Sequence, residues 1–174
     1  SSAASEVYKR QPEGRTIAYR LQRLAHMQMR LGQYAAAVTS ARRALAIIEQ
    51  HAGTGASVVA AFHNAVAMAL VGTRHGGEAL PHADQAVAVA TALFGPAHDN
   101  TVNARALRTE ALWQAGRRAE AAQEERDVLA AMDAGGRTLW RPLLVAGLVA
   151  HGSGEPARAL AHLDRAAAAS AGDA

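Results

Sequence analysis

The stretch Arg30-Leu31-Gly32-Gln33-Tyr34-Ala35-Ala36-Ala37 decides the fold, because the chain writes it four times. It returns as residues 72–79, as Gln114-Ala115-Gly116-Arg117-Arg118-Ala119-Glu120-Ala121, and as Gly152-Ser153-Gly154-Glu155-Pro156-Ala157-Arg158-Ala159. Each copy sits between two stretches of helical period: 24–47, 66–89, 108–131 and 146–169 are the matching segments. The aligned alanines Ala37, Ala79, Ala121 and Ala159 lie 42, 42 and 38 residues apart. Two helical turns further on, Ala44, Ala86, Val128 and Ala166 lie on the same face, where small side chains let the helices of a pair approach closely. Gly32, Gly116 and Gly154 suit the positive φ that ends a helix. In the second copy Arg74 holds that place, and Gly76 and Gly77 are expected to absorb the turn.

Composition agrees with an all-α chain. Half of the 174 residues are apolar and only 4% are aromatic. Alanine dominates, and it favours helix more than any other residue. Runs of β-branched and aromatic residues that would make strands are missing. With no cysteine, disulfides and thiolate metal sites are excluded. No stretch reaches the roughly 18 apolar residues that a membrane span needs. The start, Ser1-Ser2-Ala3-Ala4-Ser5, has no basic segment followed by an apolar one, so it does not read as a secretory signal; the cytoplasm is the expected compartment. The sequence pI of about 9.9 reflects arginine, since the net charge is only +3. Acidic residues are interleaved with the basic ones, unlike the concentrated stripe of a nucleic-acid binder.

These residues resemble the tetratricopeptide repeat. Leu24-Ala25, Gly32, Tyr34, Ala37 and Ala44 match its pattern of a Leu-small pair, a turn glycine and two small positions in the second helix. The usual unit is about 34 residues; the 42-residue spacing here is similar to the kinesin-light-chain variety, which carries a Gly-x-x-His connector. Gly95-Pro96-Ala97-His98-Asp99-Asn100-Thr101 resembles that connector closely, and His51-Ala52-Gly53-Thr54 is a weaker copy. His63 and Arg108 depart from the family pattern, standing where tryptophan and leucine are usual. The resemblance spans residues 15–169 and implies one domain over residues 1–174: a right-handed α-solenoid of about four helix–turn–helix repeats at 15–50, 57–93, 99–132 and 138–169, with 1–14 as an N-terminal extension. Helices are expected over 15–31, 34–50, 57–73, 76–93, 99–115, 118–132, 138–151 and 155–169. Asp99 or Asn100 is expected to cap the fifth and Thr138 the seventh. Each pair leaves an apolar face that only its neighbour can cover. No separate capping helix follows the last repeat, so the array is expected either to continue through its C-terminal end or to pack there against a second copy in a homodimer.

In the resembled family the first helix of each repeat lines a concave groove that receives a peptide. Carried over by position, the expected lining is Tyr19, Gln22, Arg23, His26, Met29 and Arg30 in the first repeat and Asn64 and Met68 in the second. The third offers Asn103, Glu110 and Trp113, and the fourth Arg141, Leu148 and His151. Arg23, His26 and Arg30 share one helical stripe and suit carboxylates; an alternative is a plain solvated basic face. Asn64 and Asn103 offer both donor and acceptor to a peptide backbone. Trp113 reads either as an apolar anchor or as packing between repeats, and Trp140 as a core or end-packing residue. The chaperone-tail clamp of the family would need its lysine, asparagine and arginine set at Gln22, His26, Ala65, Asn103 and Leu107. None of these matches.

Signals for catalysis are poor. Eight histidines include no His-Glu-x-x-His pair, and His75 and His82 flank a turn with only Glu78 nearby. No phosphate-cradling glycine loop and no nucleophile elbow occurs. Glu120, Glu124 and Glu125 read as a solvated outer face beside Arg117, Arg118 and Arg126. The expectation is therefore a non-catalytic scaffold for a protein or peptide, with no cofactor and no metal. The alternative is a peptide-sensing segment of a larger bacterial transcriptional or signalling regulator. Direct nucleic-acid binding through arginine-rich helices, Arg42-Arg43 among them, is disfavoured.

Overall fold

The computed structural model describes residues 2–51 and 53–171, with side chains from Gly14 onward; Ala52, within the weaker connector copy, lies outside them. Among the described residues the chain forms eight helices and no strand: α1 Ser2–Arg30, α2 Tyr34–Glu49, α3 Ala56–Gly72, α4 Gly76–Phe94, α5 Asp99–Gln114, α6 Arg118–Ala134, α7 Trp140–Gly152 and α8 Pro156–Ala171. The first helix does not begin at residue 15; it runs unbroken from Ser2.

The four copies of the decisive stretch fold identically. In each, the residue before the second helix donates its N–H to a carbonyl five residues back: Gln33 to Gln28, His75 to Leu70, Arg117 to Leu112 and Glu155 to Ala150, at 2.8–3.0 Å. Such a bond closes the end of a helix whose last carbonyls lack partners. It requires one left-handed residue, supplied by Gly32, Arg74, Gly116 and Gly154 with φ of 72°, 63°, 79° and 79°. Arg74 thus takes the strained conformation itself. Gly76 and Gly77 do not absorb the turn, because both lie within α4. Gly76 instead permits a close helix contact. A Cβ there would meet the Ala111 carbonyl oxygen at 2.5 Å, so α4 can lie against α5 only without one.

Helices pack in chain order, and the first helices of successive pairs also touch: α1 with α3, α3 with α5, α5 with α7. Among the described residues the second helices make no such backbone approach to one another. An inner layer of touching helices backed by an outer layer of separated ones is a curved stack, concave on the α1–α3–α5–α7 side. Its core runs in two stretches. One joins α1 to α6 around Ile48, Phe62, Val66 and Leu112; the other joins α5 to α8 around Val102, Met132 and Leu143, and Trp113 packs against both.

The joins between repeats hold further corrections. His98, the histidine of the connector, caps α5: its Nδ1 accepts the Asn100 N–H at 3.1 Å, in place of Asp99 or Asn100. Thr138 does not cap α7; Leu139 stands at that boundary in extended conformation with no side-chain cap. Glu124 and Glu125 do not form a solvated face. Glu125 is 2% exposed and bound by Arg158, and Glu124 pairs with Arg105 and Arg108.

Candidate binding groove

Two clefts on the stack, among the described residues, both reach Arg141 near the start of α7. The larger, about 530 Å³, lies between α3, the C-terminal half of α4, the start of α5 and the start of α7. Asn64, Asn100 and Asn103 supply its amides, and Val89, Leu93, Phe94 and Trp140 much of its apolar wall. The smaller, about 310 Å³, lies between α1, α3 and α5, and brings His26, Met29 and Arg30 together with Met68, Glu110 and Arg141. Tyr34, Val71 and Gly72 complete it. The Tyr34 ring lies so close over Gly72 that a Cβ there would overlap it.

Arg141 and Glu110 set the electrostatics. Burial pushes the Glu110 carboxyl above its ordinary range, and the Arg141 and Arg74 guanidinium groups offset only part of that. Burial lowers the Arg141 guanidinium while Glu110 pulls it back up; an arginine stays protonated at neutral pH regardless. Arg141 Nε is buried and has no hydrogen-bond acceptor among the described residues. A half-buried cation short of acceptors, flanked by amides that can both donate and accept, is suited to a carboxylate or a peptide carbonyl.

Eight of the sequence-derived lining residues therefore line the clefts: His26, Met29, Arg30, Asn64, Met68, Asn103, Glu110 and Arg141. Six others lie outside both. Gln22 Nε2 donates to the Ala61 carbonyl at 3.1 Å and ties α1 to α3. Tyr19 packs edge-on against Phe62, ring centroids 5.5 Å apart. Arg23 and His151 are exposed. Trp113 is clamped, with the Arg118 guanidinium 3.7 Å from its ring centroid on one side and Gly152 against it, leaving no room for a Cβ there. Leu148 is exposed on α7. Trp140 is not a core residue: it is 42% exposed and forms part of the wall of the larger cleft. The wall from α4 was missed because positions were carried over only for first helices. A signal was present: α4 runs 19 residues, longer than the other second helices, before Gly95 stops it at φ 83°.

Among the described residues no three histidine or acidic side chains gather as a metal site. His82 pairs not with His75 but with His63, Nδ1 to Nδ1 at 2.8 Å. No helix among the described residues is long and apolar enough to cross a membrane.

No family model matches the chain, and no curated protein matches it. Solved structures do. A TPR-like protein from Chlorobium tepidum TLS is 26% identical and superposes with a TM-score of 0.65, covering 91% of this chain and 97% of its own. BtubC (BKLC) from P. vanneervenii, 22% identical with a TM-score of 0.68, covers 89% of this chain, which spans 63% of BtubC. Repeat spacing, turn geometry and these neighbours agree: the chain has a TPR-like α-solenoid fold built on a long repeat unit.

Proposed function

We propose that the chain is a non-catalytic scaffold that holds an extended segment of a protein partner along the α1–α3–α5–α7 face. The observation that carries this is the convergence of both clefts on Arg141, with Asn64 and Asn103 on one side and Met68 and Glu110 on the other. Amides at intervals suit a peptide backbone, the cleft walls suit apolar side chains, and Arg141 suits an acidic group. Cofactors and metals have no part in this reading, and the bacterial cytoplasm is the compartment it assumes. The same groove would serve a peptide-sensing segment of a larger regulator.

A peptide library displayed on phage and selected on the wild-type protein tests the groove. Selected peptides should bind competitively with one another and lose at least tenfold in affinity on Asn103→Ala and on Arg141→Gln, with helicity unchanged. Peptides that bind both variants as tightly as the wild type would sink the assignment.

A further inference from the structure

We infer that this chain associates head to tail with further copies of itself, α1 of one copy seating on α8 of the next. The observation is a register comparison, independent of the groove. On first helices, Met27 of α1 corresponds to Ala69, Ala111 and Val149, which are 0%, 0% and 2% exposed where a repeat precedes them, whereas Met27 is 54% exposed. Leu24 corresponds to Val66 and Ala146, both fully buried, yet it is exposed, as is Ile17 two turns earlier. On second helices, Leu163 of α8 corresponds to Ala41, Ala83 and Glu125, which are 1%, 0% and 2% exposed where a repeat follows them, Glu125 being bound by Arg158 of that repeat, whereas Leu163 is 37% exposed. Leu160 matches Val38, Leu80 and Ala122, of which Leu80 is buried and the other two half-buried, and is itself 61% exposed.

The two bare faces are the two halves of one junction that the chain builds three times within itself. A face that ends a solenoid usually carries polar residues; here both ends keep large apolar ones. Because α1 presents what a preceding repeat would cover and α8 what a following repeat would cover, a second copy continues the same interface in the same direction. Charge fits as well. Asp164 holds on α8 the place that Asp84 holds on α4, where Asp84 pairs with Arg108 across the junction. On α1 the place of Arg108 is Leu24, with Arg20 one turn before it and Arg23 beside it. The contact is heterologous, each copy using a different face on each side, so assembly closes into a ring or extends as a filament.

Sedimentation velocity over a concentration series of the 174-residue chain tests this. Wild-type mass should rise past the dimer or settle at a closed ring. Met27→Glu and Leu163→Glu alter opposite ends and should each be monomeric alone, while their equimolar mixture forms a 1:1 heterodimer through the one intact pair of faces. Leu24→Lys and Leu160→Lys replace them if either fails to show wild-type circular dichroism. A wild-type chain that stays monomeric overturns the inference, as does a mixture that stays monomeric. Persistent self-association of either single variant also overturns it, since that is the mark of a symmetric contact such as α8 on α8.

Discussion

Arg158 Nη2 on α8 lies 2.6 and 2.7 Å from the two carboxylate oxygens of Glu125 on α6, and this contact fastens the last repeat to the third. Glu125 is 2% exposed, so without Arg158 its charge would be left buried with only His162 Nε2, 3.9 Å away, for company. Removing one partner of a buried pair is far more damaging than replacing both with apolar groups. Arg158 is itself partly solvated, at 37%, and screening reduces the effect. Arg158→Ala should therefore destabilise the fold by about 2–3 kcal/mol, read from urea unfolding. Glu125→Leu combined with Arg158→Met should recover most of that loss. A single variant as stable as wild type would show that the pair contributes nothing.

That contact also shows what the sequence could not disclose. The four turns were legible because glycine and alanine at fixed spacing constrain a helical hairpin locally. Glu125 looked like one more surface acid in Glu120, Glu124, Glu125, since its burial depends on α8 arriving over it from 33 residues away. The site divides in the same way. Asn64, Asn103 and Arg141 could be placed by repeat register, a local rule. Trp113 could not, because its fate was decided by Gly152 and Arg118 closing around it. Phe94 and Trp140 entered the cleft through the unusual length of α4 and the start of α7, which no repeat pattern encodes.

Arg74 carries a backbone strain that the other three turns avoid. An L-residue in the left-handed region costs roughly 1–2 kcal/mol, and glycine there is nearly free but loses more chain entropy on folding, about 0.5–1 kcal/mol. Arg74→Gly should thus stabilise the protein by about 0.5–1 kcal/mol. Arg74→Ala, which keeps the strain, should not. Thermal unfolding of the three proteins side by side checks the order, and an alanine variant as stable as the glycine one would contradict the backbone account.

His98 gives the Gly-x-x-His connector its physical meaning. Gly95 turns the chain with φ 83°, and the imidazole then stacks on Phe94, centroids 4.7 Å apart, while accepting the Asn100 N–H. One side chain so links the end of α4 to the start of α5. Replacing a capping side chain by alanine costs about 1 kcal/mol, and His98→Ala also removes the ring stack. Its unfolding free energy should fall by about 1–2 kcal/mol. His98→Asn, a good cap without the ring, should lie between the two. Equal losses in both variants would mean that the cap contributes nothing.

Acid should weaken the fold through half-buried histidines. His63 and His82 meet at Nδ1, 2.8 Å apart, one ring donating and the other accepting, which requires at least one neutral imidazole. Burial lowers both pKa values; Glu49, 3.7 Å from His63 Nε2, works against this, while His63 and Arg42 deepen the shift of His82. His162 is lowered chiefly by burial as well. A group depressed in the fold binds more protons when unfolded, so its stabilisation is complete above 6.5 and drains away as the pH falls through the folded value. Glu110 runs the other way: its raised pKa favours the fold on acidification and loses that contribution as pH rises through the folded value. With three histidines against one carboxyl, the urea midpoint should drop steadily once the pH falls below the ordinary histidine range. Replacing His63 by Gln and His82 by Asn together should flatten that slope. A wild-type midpoint that holds steady or rises over the same interval would show that these imidazoles are not kept neutral by the fold.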